Sequence, residues 1–353
     1  MAVLGSPLII DGSHGEGGGA LVRAALVMAT LTQQPLRIVN VRGGTSVPGL
    51  NPEDLTVLRA LAASASAECL GAECGASSLS YLPTRRPKSL NTTLDIADGP
   101  DGPGFANALV VLSALVPVLA RTGMYSEIGV RGETYGPRVL GYDYFAHVTV
   151  PALRRFGLHA VPDLLLAGFG RGTRGEVHLE VEPSGLSGVD WHRRGALQAC
   201  RAVVSTSSVA ETVGDRGLQQ LERLAQYAGV EIDAEANRHT SRSTGACVTV
   251  WGEYERGLGG TSVMGQRGVR VEAVAQQAFE GFAEFNRGDA SVDEHLADQI
   301  LIVAAMAEGE TRFKVHRLTS RFLTTVWVIK QFLPIHITVR GNEDGPGEVT
   351  VRR

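Results

Sequence analysis

Three segments of the chain alternate apolar and polar residues, and each precedes a stretch with helical periodicity. The alternating segments, predicted as strands, are Leu36–Gly44, Tyr125–Glu133 and Arg312–Leu318. Alternation of this kind is typical of a strand that buries one face. The helices predicted after them are Asn51–Ala62, Tyr142–Phe156 and Thr319–Phe332. The recurrence of one strand–helix order indicates three copies of a single structural unit.

The spacing of the copies predicts an inserted domain in the third one. Arg42 and Arg131 close the first two strands in the sequence Val-Arg-Gly and are 89 residues apart, whereas 185 residues separate Arg131 from His316 in the third. The excess of 96 residues is the size of a small domain. We therefore expect a repeat domain over 1–184 and 277–353, an insert over 185–276, and a mixed α and β class.

A glycine-rich stretch near the N-terminus is a candidate anion-binding loop. The sequence Ile10–Arg23 is predicted to form a strand, a loop containing Gly17 and Gly18, and a helix. Backbone N–H groups at such a helix start favour negative charge. Glu16 would repel a bare phosphate, so it indicates a metal-bound phosphate or a group that acts on a hydroxyl. A tight structural turn remains the alternative interpretation.

Two further helix starts carry candidate chemistry. Ser291 and Glu294 form a predicted capping box, and His295 and Asp298 share the face of the helix that follows. An imidazole and a carboxylate on one face could bind a metal or move a proton, although a solvated, well-capped helix start is the commoner origin of the pattern. Arg321 stands in a first turn, where it opposes the helix dipole unless it binds an anion or a carboxylate.

Composition and charge exclude some classes of protein. The net charge of −4 excludes a strongly basic nucleic-acid coat and leaves a local basic cleft open. The longest apolar run, Leu109–Ala120, is too short to span a bilayer, and the N-terminus lacks the basic and apolar regions of a signal peptide. We expect a cytoplasmic protein with no membrane partner.

Five segments together resemble the RNA 3′-terminal phosphate cyclase family: Ile10–Arg23, Val41–Thr56, Val130–Phe145, Gly168–Val177 and Val292–Gln299. The resemblance implies an α+β fold with three repeats of a four-stranded sheet and two helices, plus a smaller inserted α/β domain. It also implies ATP and a divalent cation, Mg²⁺ or Mn²⁺, as cofactors, and RNA 3′ ends as partners. In the family a histidine takes AMP as a phosphoramidate, AMP passes to an RNA 3′-phosphate, and the adjacent 2′-hydroxyl closes a 2′,3′-cyclic phosphate.

Several positions match the functional residues of that family. Glu16 matches its loop carboxylate, Arg23 its helix arginine, Arg42 its first cleft arginine and Asp298 its carboxylate near the nucleotide. The glycine loop itself indicates Glu16 as a metal candidate, through a metal-bound phosphate. The resemblance implies substrate or nucleotide contacts for further residues, namely Gly17, Gly18, Arg131, Pro137 and His295.

Other positions depart from the family pattern. Thr45 stands at its second cleft arginine, Glu53 at a helix glutamine, and Ser113 at a later glutamine. A Gly-Ser-Ala-Gly-Ser pattern is replaced over 102–106. Arg321 stands at the nucleophilic histidine, and a guanidinium has no free lone pair with which to attack phosphorus. His316 is the nearest substitute in sequence.

The resemblance and the residues together predict a protein that acts at RNA 3′-phosphate ends and lacks the covalent histidine–AMP step. The alternative is a non-catalytic RNA- or ribonucleoprotein-binding member that kept the phosphate cleft, as in the eukaryotic cyclase-like branch that works in ribosome assembly. A small-molecule transferase is a third class, because related repeat folds carry enolpyruvyl transfer. The sequence leaves the oligomeric state open, with a homodimer as one option.

Overall fold

The computed structural model describes residues 6–96, 106–137 and 140–353. The first unit has the order strand, helix, strand, helix, strand, strand. Its elements are β1 (Leu8–Asp11), α1 (Gly19–Thr32), β2 (Leu36–Val39), α2 (Pro52–Ala65), β3 (Glu68–Leu70) and β4 (Leu79–Leu82).

The second unit repeats this order, with a π-helical turn (Phe145–Thr149) joining the two parts of its second helix. Its elements are β5 (Asn91–Asp95), α3 (Ala108–Leu119), β6 (Ser126–Gly132), α4 (Tyr142–Tyr144), α5 (Val150–Arg155), β7 (Ala160–Leu166) and β8 (Gly175–Val181).

The third unit begins with a short strand, β9 (Asp190–Trp191), and is then interrupted by a separate sheet with two helices. The interrupting elements are β10 (Leu197–Ser207), α6 (Thr212–Ala228), β11 (Asp233–His239), β12 (Gly245–Tyr254), β13 (Gly257–Met264) and α7 (Val271–Arg287). The third unit then resumes with α8 (Glu294–Met306), β14 (Glu310–Val315), α9 (Ser320–Phe332), β15 (His336–Gly341) and β16 (Gly347–Arg352).

The three repeated sheets have one topology. In each, the first strand is parallel to the second, and the fourth strand pairs antiparallel with both the second and the third. The inserted sheet differs, with the order β11-β10-β12-β13. The predicted α+β fold of three four-stranded repeats with one smaller insert is confirmed.

The helices of the three units share one apolar core, and the insert has a core of its own. Helix α1 packs against α2, α3 and α9, and α8 packs against α9. Nine of the 14 residues of α1 are buried, because other helices surround it on almost every face. None of the helices in the described part of the chain has both the length and the apolar character needed to cross a membrane.

Most of the predicted element starts are close to those observed. Asn51 caps α2 by accepting the N–H of Asp54, and Thr319 caps α9 by accepting the N–H of Phe322. The predicted first strand is too long, because β2 ends at Val39 and the chain then turns. The expected insert boundary at Gln276 lies inside the continuous helix α7. We therefore propose that the inserted unit runs from Leu197 to Arg287.

Candidate active site

The glycine loop between β1 and α1 lies against two other parts of the first and third units. Gly15 and Gly17 have φ of 60° and 59°, and a Cβ on Gly17 would lie 2.8 Å from the Cα of Gly44. The N–H of Glu16 donates to Thr324 Oγ1 on α9 at 2.9 Å. The absence of side chains at these glycines thus lets the loop fit tightly between the turn after β2 and α9.

A cleft of about 670 Å³ opens beside this loop, among helices α1, α2, α3, α8 and α9. It brings together most of the site residues predicted from the sequence, and so places parts of all three units in one site. The predicted residues and departures that line it are Glu16, Gly18, Arg23, Arg42, Thr45, Glu53, Ser113, His295, Asp298 and Arg321.

Four predicted site residues lie outside this lining in the described part of the chain. Gly17 and Pro137 are neighbours in sequence of the lining residues Gly18 and Gly136. Arg131 instead forms ion pairs on the surface of the second sheet, with Glu176 at 2.9 Å and with Asp95 at 3.6 Å. Residues 102–105 of the replaced glycine–serine pattern are outside the described residues.

His316 is the fourth predicted site residue outside the cleft lining, and its side chain lies against residues of the insert. Its Nε2 lies 3.8 Å from Glu284 Oε1, and its ring meets the edge of Phe285 with centroids 6.0 Å apart. Its backbone N–H donates to the carbonyl of Val292, which fixes the chain just after β14. The structure does not bring His316 together with Arg321, and it offers no support for His316 as a substitute nucleophile.

A buried carboxylate, Asp54, holds two of the cleft arginines. Arg23 Nη1 lies 2.6 Å from Asp54 Oδ1, and Arg42 Nε lies 3.8 Å from Asp54 Oδ2. Burial raises the pKa of Asp54, and both guanidinium groups oppose that rise. From the sequence alone, Asp54 is an ordinary acidic residue in the first turn of α2. Its position two residues after Pro52 gives no sign that it would be buried beneath two arginines.

Arg42 reaches the cleft from a turn, not from the predicted strand. Its φ is 53°, in the left-handed region that is uncommon for residues other than glycine. Its Nη1 donates to the carbonyl of Gly49 at 3.3 Å. Thr45, in the same turn, uses its hydroxyl locally, within reach of the carbonyls of Arg42 at 2.9 Å and Val47 at 3.0 Å.

The opposite wall of the cleft carries an arginine between two carboxylates. Arg321 Nε lies 3.8 Å from Glu16 Oε1, and about half of the Arg321 side chain is exposed. Burial raises the pKa of Asp298 to about 7; Arg321 opposes the rise, and Glu16 adds to it. Glu16 Oε2 and Asp298 Oδ1 are buried without a hydrogen-bond partner among the described residues. These two oxygens are available to a ligand's hydroxyl group or to a cation.

The start of α8 differs from the predicted capping box. Asp293 caps the helix, and its Oδ1 accepts the N–H groups of His295 and Leu296. Ser291 instead exchanges hydrogen bonds with the backbone of Lys314 on β14. The aspartate is preferred because its second oxygen also accepts a hydrogen bond from Tyr144 at 2.6 Å, which ties α8 to α4. His295 is left exposed at the rim of the cleft.

A family model described as RNA 3′-terminal phosphate cyclase matches residues 14–339. The RNA 3′-terminal phosphate cyclase of Methylococcus capsulatus is 32% identical to this chain, with 98% of this chain and 96% of the relative covered. The cyclase of Thermococcus onnurineus is also 32% identical, with 98% and 99% covered.

Among solved structures, the enolpyruvyl transferase NikO of Streptomyces tendae is similar at a TM-score of 0.37 and 12% identity. That match covers 99% of this chain and 48% of the other, so the chain spans about half of that protein's length. A similarity this weak supports no conclusion on function. The family match and the near-complete coverage by the two cyclases agree with the repeated sheets and the shared cleft. The chain belongs to the RNA 3′-terminal phosphate cyclase family.

Proposed function

We propose that this protein acts on RNA 3′-phosphate ends with ATP and forms no covalent histidine–AMP intermediate. The observation that carries the proposal is the position of Arg321. It lines the cleft beside Glu16, at the position where the resemblance to the family implies a nucleophilic histidine. An arginine keeps its proton at any working pH and cannot act as the nucleophile, but it can hold phosphate oxygens through paired hydrogen bonds.

Without a protein nucleophile, transfer of AMP is direct. An oxygen of the RNA 3′-phosphate attacks the α-phosphorus of ATP, and pyrophosphate leaves. The adjacent 2′-hydroxyl then attacks the 3′-phosphorus, AMP leaves with the electron pair of the broken P–O bond, and a 2′,3′-cyclic phosphate remains. Arg23, Arg42 and Arg321 bind the phosphates, and Glu16 or Asp298 accepts the proton of the 2′-hydroxyl.

The cleft fits a nucleotide-bound cation better than a cation held by protein alone. Within the described ranges, no group of three or more acidic, histidine or cysteine side chains is placed to hold a metal. Mg²⁺ commonly takes one or two carboxylates and completes its shell with phosphate oxygens and water. The unpartnered Glu16 Oε2 is the carboxylate oxygen suited to that role, and the cation would neutralise phosphate charge.

The second candidate function is a non-catalytic protein that binds RNA ends or a ribonucleoprotein. One observation favours it specifically: the positive charge of the cleft is already partly compensated. Arg23 is bound to Asp54 at 2.6 Å, and the hydroxyl of Thr45 is used within its own turn. A binding protein needs less transition-state stabilisation than an enzyme and tolerates such compensation.

End analysis of RNA distinguishes the two functions. An RNA with a labelled 5′ end and a 3′-phosphate is incubated with the protein, ATP and Mg²⁺ or Mn²⁺, and the 3′ end is tested for resistance to phosphatase. The proposed activity produces phosphatase-resistant cyclic ends. The binding function would be supported if the ends stay unchanged and the protein binds the 3′-phosphate RNA more tightly than a 3′-hydroxyl control. The proposal is wrong if the protein neither converts nor discriminates the phosphate end.

A further inference from the structure

Glu53 is a buried carboxyl group in the wall of the phosphate cleft. It stands in the first turn of α2, is 7% exposed, and lines the cleft. Its Oε1 accepts the N–H of Asn107, the residue that caps α3, at 2.8 Å. In the described part of the chain, Oε2 has no hydrogen bond. The carboxyl is therefore fixed by one oxygen and can interact with a ligand through the other.

Its surroundings favour the neutral form of this carboxyl. Burial raises the pKa of Glu53 to about 7. Arg23 on α1 opposes the rise, but Asp54, the next residue on α2, and Glu133, after β6, add to it. The N–H of Asn107, the residue that caps α3, also opposes the rise by donating to Oε1. Arg23 is the largest influence against the rise, but burial outweighs it, and the same guanidinium is also bound to Asp54.

The charges around the cleft make this proton important for an anionic ligand. Three arginines line the described cleft, Arg23, Arg42 and Arg321, against three carboxyl groups, Glu16, Glu53 and Asp298, with Asp54 buried behind them. With every carboxyl ionised, a phosphate dianion meets no net positive charge. A protonated Glu53 removes one negative charge and adds an O–H donor, which a phosphate oxygen accepts strongly.

We propose that Glu53 is a specificity-determining residue that takes up a proton from solvent when a phosphate end binds and donates it in a hydrogen bond to that phosphate. This inference rests on the proposed function, since it takes the RNA 3′-phosphate as the ligand. It makes recognition of the phosphate end weaken as the pH rises, through a group that forms no part of the ATP chemistry.

The test is the pH dependence of RNA binding in the absence of ATP. The affinities for one short RNA with a 3′-phosphate and with a 3′-hydroxyl are measured by fluorescence anisotropy from about pH 6 to about pH 9, at constant ionic strength. Uptake of one proton by Glu53 makes the affinity of the wild type for the phosphate end fall about tenfold per pH unit above the pKa of the free carboxyl. The 3′-hydroxyl RNA shows no such fall.

The variant Glu53→Gln keeps the acceptor for Asn107 and carries a permanent N–H donor. It should bind the phosphate end with an affinity that is nearly independent of pH above about pH 7, where the phosphate itself has lost its second proton. The matched control is Glu133→Gln, which neutralises a buried carboxyl beside Glu53 that lies outside the described cleft lining. This control should keep the wild-type slope.

A second readout is independent of affinity. At about pH 8, infrared difference spectra should show a protonated carboxyl band appearing when the phosphate-ended RNA binds to the wild type and not to Glu53→Gln. Equal slopes in the wild type and Glu53→Gln, or no such band, overturn the inference. If the wild type fails to distinguish the two RNA ends even at about pH 6, the proposed function itself is wrong and the inference falls with it.

Discussion

Arg321 and Glu16 define the chemistry of the cleft at the scale of single residues. The Arg321 guanidinium lies 3.8 Å from the Glu16 carboxylate, and both groups line the cleft with Asp298. An arginine in the first turn of α9 opposes the helix dipole. Arg321 is tolerated there because the Glu16 carboxylate faces it. Arg321, Glu16 and Asp298 therefore place three ionisable groups where a phosphate would bind.

Restoring a histidine at this position should not restore a cyclase of the ordinary mechanism. In Arg321→His the imidazole would lack a cleft arranged for in-line attack, because Thr45 and Glu53 add no positive charge to the phosphate site. The expected result is less than a tenth of the AMP-adduct formation of a cyclase that retains the histidine, assayed beside it with labelled ATP. Full adduct formation and cyclisation in this single variant would show that the other departures are unimportant.

Arg23 should contribute to stability as well as to binding. In Arg23→Met, Asp54 loses its nearest cation while it stays buried, and the free energy of unfolding should fall by about 3 kcal/mol at neutral pH. The loss of the guanidinium raises the pKa of Asp54 further, so the deficit should shrink as the pH falls and Asp54 becomes protonated. Denaturant titrations at two pH values measure this, with Arg23→Lys as the charged control. A deficit independent of pH would contradict the account.

The residues that sequence reasoning missed are those whose role depends on burial. The glycine loop, Arg42, Asp298 and Arg321 were predicted because a motif or a helix start marked them. Asp54 was not, because its local pattern is that of any helix N-terminus. Its role arises only when α1 and the turn after β2 bring two arginines onto it, and no short-range pattern encodes that meeting.

Helix starts connect the separate units at the scale of elements. Asp293 Oδ1 caps α8, while its Oδ2 accepts hydrogen bonds from Tyr144 at 2.6 Å and from the N–H of Gly260 on β13 at 2.9 Å. One side chain therefore joins the third repeat, the second repeat and the insert. Among the described residues, the side chain of Asn51, the cap of α2, bonds only within its own helix.

These two caps should differ in their contribution to stability. Asp293→Ala leaves several buried donors without an acceptor and should lower the free energy of unfolding by about 4 kcal/mol. Asn51→Ala removes one local cap and should cost about 1 kcal/mol. Chemical denaturation of both variants measures the difference. Equal losses would mean that Asp293 acts as an ordinary cap.

The whole molecule consists of three similar units and one insert, and a buried polar cluster joins the insert to the second unit. Tyr135 Oη lies 3.2 Å from Asp143 Oδ1 and 3.2 Å from Ser205 Oγ on β10, and 3.4 Å from His239 Nε2 on β11. Burial raises the pKa of Asp143 to about 6. The repeat spacing in the sequence predicted an insert, but it did not indicate which side chains would form this contact.

The stability of this contact should depend on pH through Asp143. Because its folded pKa lies above its unfolded value of about 4, its contribution is greatest at low pH and is lost as the pH rises through 6. The stability of Asp143→Asn relative to the wild type should therefore increase by about 3 kcal/mol between pH 4 and pH 7. Denaturant midpoints across that range provide the measurement. A constant difference would show that Asp143 is not the titrating group.

The absence of a covalent AMP intermediate is tested by the intact mass of the protein after incubation with ATP and Mg²⁺ or Mn²⁺. The mass is measured without acid treatment, because phosphoramidates are acid-labile. The sample is measured with and without the 3′-phosphate RNA, beside a cyclase that retains the histidine. Direct transfer predicts an unchanged mass for this protein in every condition, whether or not the RNA is cyclised. A mass increase of one AMP would show a nucleophile in this chain and contradict direct transfer.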